Sequence, residues 1–87
     1  MTDEEKLFEL YNQAYGGYYN IMLRVLNDKD ISADNLARCI CLTVKMNNVV
    51  NKISKALGGN TDRCRMAYKK VADLQSELRS RMRDKYK

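Results

Sequence analysis

Arg38, Lys45 and Lys52 recur at seven-residue intervals, and no acid falls between Asn35 and Thr61. Seven residues make about two helical turns, so on a helix the three cations form one outward stripe with a charge about every 10 Å. Lys45 and Lys52 have no carboxylate within helical reach, whereas Arg38 has Asp34 one turn earlier. Such a row suits contact with the phosphates of a polyanion. Further along, Arg65, Lys69, Arg79, Arg83 and Lys87 fall on one flank of an apolar seam, and Arg63, Lys70, Arg81 and Lys85 on the other. Asp73, Glu77 and Asp84 are assigned to the opposite side, with Glu77 spaced to pair with Arg81. The expected phosphate anchors are Arg38, Lys45, Lys52, Arg65, Lys69, Arg79 and Arg83.

A second candidate is the run Tyr-Gly-Gly-Tyr-Tyr at residues 15–19. Aromatic faces stack bases, which makes tyrosines a potential nucleic-acid platform. Helical phase assigns Tyr11, Tyr15 and Tyr18 to the core, with their hydroxyls at its rim. Tyr19 falls at the stripe edge and is the ring expected to touch a partner. Gly16 and Gly17 lie on the polar side, where internal packing does not require them. They predict either a tolerated kink or a flat spot for another backbone.

Other chemistries are poorly supplied. The chain has no histidine and three cysteines, Cys39, Cys41 and Cys64. Cys39 and Cys41 point roughly 200° apart on a helix and cannot bridge each other. Without a Cys-x-x-Cys pair the pattern predicts neither a metal site nor a disulfide framework, but three reduced thiols in an intracellular protein. No phosphate-cradling glycine loop or nucleophile–base set can be assembled, so no catalytic residue, cofactor or small-molecule substrate is expected.

These side chains must be carried by helices. The 87 residues contain no proline and only four glycines, in two pairs, which leaves too few turn residues for many short strands. An apolar content of 45% supports one folded domain with a modest core. No apolar run approaches the ~18 residues of a membrane span. The first helix is expected over about 3–26, with Thr2 and Glu5 at capping-box spacing and Leu7, Tyr11, Ala14 or Tyr15, Tyr18, Met22 and Val25 as its stripe, widened by Phe8, Ile21 and Leu26. The second is expected over 34–57, capped by Ser32 or Asp34 and stopped by Gly58-Gly59. Its broad stripe runs from Leu36 to Leu57, with Asn47 at the edge requiring a partner if buried. The third is expected over 62–84, capped by Asn60 or Thr61, with a seam of Cys64, Ala67, Tyr68, Val71, Leu74, Leu78 and Met82 interrupted by Arg81. The reading is an all-α antiparallel three-helix bundle, open to completion by self-association.

Charge is unevenly distributed. Residues 1–34 carry three cations against seven acids, and residues 35–87 thirteen cations against four, leaving a net +5. This asymmetry suggests a polyanionic partner or head-to-tail stacking of copies. The favoured expectation is an accessory protein that holds nucleic acid or a nucleoprotein through phosphates, without sequence preference, because no base-reading motif accompanies the charge. A second expectation is an inhibitor or adaptor, of the phage or mobile-element type, that fills an acidic or nucleic-acid-binding surface on a larger machine. A third is a homodimeric bundle completed through the third helix.

Overall fold

The computed structural model describes residues 2–86 and forms three helices of 24 residues each: α1 (Asp3–Leu26), α2 (Ala33–Ala56) and α3 (Asp62–Lys85). They make an all-α three-helix bundle elongated to 46 × 20 × 16 Å. Each helix begins on a hydroxyl cap. Thr2 accepts from the Glu5 N–H at 3.2 Å, Ser32 from that of Asn35 at 3.2 Å, and Thr61 from that of Cys64 at 3.2 Å. Each satisfies an amide that the first turn would otherwise leave unpaired, and acids in the first turns suit the positive helix end.

The hairpin between α2 and α3 closes on Gly58 and Gly59. Gly58 takes φ +81°, its N–H donates to Lys55 at 3.2 Å, and the Gly59 N–H donates to Ser54 at 2.9 Å. These two bonds make a Schellman stop, whose left-handed residue carries no Cβ penalty only as glycine. The Ser54 hydroxyl then donates to the Asn60 side chain at 2.5 Å, tying the turn down. At the other end, Asp28 accepts from the Asp30 N–H at 3.0 Å, and this turn drives Ile31 into the core at 7% exposure.

Arg81 secures that loop. Its guanidinium donates through Nη1 to the Leu26 carbonyl and through Nη2 to the Asp28 carbonyl at 2.5 Å. The residue that interrupts the α3 seam is therefore a cap for the C-terminal carbonyls of α1, where positive charge is also favoured by the dipole. It is not engaged with Glu77, contrary to the expected pairing, because the end of α1 and the following loop supply the Leu26 and Asp28 carbonyls on its other side.

The core falls into two clusters. One contains Met22, Ile31, Leu36, Met46, Val71, Leu74 and Leu78; the other contains Phe8, Val50, Ile53 and Cys64. The seams of α2 and α3 match expectation. That of α1 is rotated by about one residue: Phe8 and Met22 are buried, and Tyr11, Tyr15 and Tyr19 pack half-buried against the clusters. Tyr18 is 49% exposed and Ala14 is exposed, so Tyr18 and Tyr19 exchange the places assigned to them. The fully buried polar residue is Thr43 rather than Asn47. Its hydroxyl donates to the Ile40 carbonyl at 2.6 Å and accepts from Gln75 of α3 at 3.1 Å.

α1 continues through Gly16-Gly17 without a break. A Cβ added at either glycine meets nothing within 4 Å. No internal contact explains them, although each weakens a helix interior by about 0.8–1 kcal/mol relative to alanine.

Candidate polyanion surface

Two polar bonds fix how α2 and α3 lie against each other: Thr43 with Gln75, and the Tyr68 hydroxyl with the Asn51 side chain. The helices are antiparallel, so Arg38 lies level with the Arg79–Arg83 turn and Lys52 with the Arg65–Lys69 turn. Steps of three and four carry the flank of Tyr68 and Gln75 to Arg65, Arg79 and Arg83. On α2, Ala37, Val44 and Asn48 separate the stripe from this flank, so the two basic rows run along different shoulders of the α2–α3 pair. All seven expected anchors, Arg38, Lys45, Lys52, Arg65, Lys69, Arg79 and Arg83, are exposed.

They are not equivalent electrostatically. Arg65 donates to Asp62 at 3.0 Å and to the Asn60 carbonyl at 3.4 Å, and Lys69 reaches Asp73 at 3.2 Å. Asp73 thus lies beside Lys69, one turn along, and not across the helix as read from the sequence. Among the described residues these are the ion pairs, so Arg38 is not engaged with Asp34. Both pairs are solvent-exposed, a setting in which such contacts contribute roughly 0–1 kcal/mol and yield readily to a better anion. Arg38, Lys45, Lys52, Arg79 and Arg83 keep their charge free of carboxylates among the described residues.

A depression of about 290 Å³ lies between α1 and α3, with Phe8, Tyr11, Tyr15 and Tyr19 on one wall and Arg63, Met66 and Lys70 on the other. Arg63 sits over the Phe8 ring at 5.0 Å. Tyr11 packs edge-on to Phe8, with ring centres 6.1 Å apart, and tilts against Tyr15 at 5.6 Å. Burial, and secondarily the neighbouring Tyr15, holds the Tyr11 phenol above its ordinary pKa. Glu5 and Glu9 adjoin Arg63, so this end of the depression carries mixed charge and lacks the uniform field of the α2 stripe. Gly16 lines the depression, Gly17 is exposed outside it, and Tyr19 is engaged with the core instead of standing free at an edge.

The thiols are Cys39 half-buried, Cys41 exposed and Cys64 buried, and all three are free. Burial raises the Cys39 pKa. Cys64 accepts from the Thr61 hydroxyl at 3.3 Å and serves packing. Among the described residues no group of three or more acids or thiols converges to hold a metal ion, and no helix is long and apolar enough to cross a membrane. No protein-family model, curated protein or solved structure matches the chain.

Proposed function

We propose that this is an accessory protein that holds nucleic acid through phosphate contacts from the α2 stripe and the α3 flank, without reading sequence. The observation that supports this most directly is the Arg38–Lys45–Lys52 row, exposed and without a carboxylate partner among the described residues. Its repeat of about 10.5 Å is wider than the step between neighbouring phosphates of one strand, so the row meets phosphates at intervals, with the long lysine and arginine side chains making up the mismatch. Arg79 and Arg83, on α3, lie level with its Arg38 end. Arg65 and Lys69, each held by a surface carboxylate, border these residues and add little net charge to them.

No helix enters a groove as a reading head in this arrangement, and the residues between the basic rows are small, apolar or amide. Affinity therefore comes from charge, and discrimination among sequences is weak. Titrating a labelled generic duplex at rising salt tests the reading. Strong binding that weakens steeply with salt supports it. Failure to bind at about 50 mM salt, a condition that exaggerates electrostatic binding, would refute it. A tight complex with one acidic protein alongside that failure would assign the same residues to a protein partner instead.

A further inference from the structure

The side of α1 turned away from the core carries a second apolar row, Leu10, Ala14, Tyr18 and Ile21, at steps of four, four and three, and the half-buried Leu7, which also packs against the Phe8 cluster, continues it three residues earlier at the edge of the core. Nothing within the chain covers most of it. Leu10 is 62% exposed, Tyr18 49% and Ile21 53%, and Ala14 is exposed. We propose that this row is a self-association surface, on which a second copy of the chain packs its own α1 antiparallel, about a two-fold axis through Ala14.

Three independent features point to a second copy in that orientation. First, the row is symmetric about Ala14. Leu7 and Ile21 stand seven residues either side, and Leu10 and Tyr18 four residues either side. An isologous pair needs this self-complementarity, since each contact is made twice. It sets Leu7 against the other copy's Ile21 and Leu10 against its Tyr18.

Second, the charged ends match only when the helices oppose. Asp3 lies eleven residues before Ala14 and Arg24 ten after it, so Arg24 of one copy comes within about 1.5 Å, along the axis, of the level of the other's Asp3. A parallel pairing would set Asp3 against Asp3 and Arg24 against Arg24. Third, the residues nearest the axis are small. Ala14 lies on it and Gly17 one turn away, with open space around the latter, which lets two backbones approach closely at the crossing point. The seam of α3 offers no competing interface, because Cys64, Val71, Leu74 and Leu78 are buried within the chain.

Sedimentation equilibrium on the full chain, with circular dichroism as a check on folding, tests the proposal. The mass should climb with concentration from one chain of 10.1 kDa toward two. Ala14→Glu brings two like charges together on the axis and should hold the protein at one chain throughout that range. Its helicity and melting should be unchanged, since the site is exposed and glutamate is a good helix former. Asp3→Lys and Arg24→Asp should each weaken the dimer by about ten-fold, and combining them should restore it. A one-chain mass at every concentration, or association of Ala14→Glu like the unaltered protein, would overturn the proposal. A double variant no tighter than the singles would overturn the antiparallel arrangement.

Discussion

Replacing Arg38, Lys45 and Lys52 together by glutamine removes three charges while keeping long, helix-compatible side chains at exposed positions. Five of the seven anchors are free of carboxylates among the described residues, so on duplex DNA the unaltered protein should show log K falling with log salt at a slope of about −4.5. Raising salt from about 50 to 200 mM then weakens binding by roughly 500-fold. The triple variant retains Arg79 and Arg83, which lowers the slope to about −1.8 and the loss over the same range to roughly 12-fold. Fluorescence anisotropy with a short labelled duplex, repeated at four or five salt concentrations, resolves that difference. Lys6→Gln with Lys29→Gln supplies a control that also removes charge, but outside the proposed rows; its slope should stay with the unaltered protein. Parallel salt slopes for the triple variant and the unaltered protein would refute the assignment of these residues to phosphate. A control that lowers the slope as much per charge removed would show that net charge, not these rows, drives binding.

Arg81→Met should destabilise the fold by about 2 kcal/mol, because it removes two charge-assisted bonds to the end of α1, and thermal melting should fall by roughly 10 °C. Gly58→Ala forces a Cβ into a left-handed conformation at φ +81° and should cost about 1–2 kcal/mol in denaturant unfolding, despite the open space around it. Tyr11 has a pKa raised in the folded state, so the stability it contributes is fully present below its ordinary value of 10.0 and is lost as pH rises through the folded value. Urea melts at about pH 9 and pH 11 should therefore show a fall that Tyr11→Phe reduces; an equal fall in that variant would remove Tyr11 as the cause.

The helices could be read from the sequence because their signals are local. Thr2, Ser32 and Thr61 cap by hydrogen bonds to amides three residues away, and Gly58-Gly59 ends α2 through bonds to carbonyls three and five residues back. The stripe of α1 was misplaced because its apolar residues cover more than half of the circumference, so periodicity alone does not choose which part meets the bundle. Packing chose the side of Phe8, Tyr15 and Tyr19, leaving Leu10, Tyr18 and Ile21 outside. Arg81 was equally opaque. Within α3 it is a cation one turn from Glu77, and only the tertiary fold brings the Leu26 and Asp28 carbonyls, more than fifty residues back, within its reach. The basic residues were found from composition and spacing, but their pairing was not. Whether Lys69 meets Asp73, or Arg38 meets Asp34, depends on side-chain rotamers that the same four-residue spacing does not distinguish.

The contact between Arg81 and the α1–α2 corner also constrains the order of events during synthesis. Residues 3–26 are made well before Arg81, more than fifty positions further along, so the guanidinium that latches the final turn of α1 arrives only after the whole of α2. α2 and α3, joined by a tight hairpin, can zip together from their shared turn, and that pairing is what brings Arg81 back to the end of α1. Of the three helices, the one made earliest is in this sense the last one fastened.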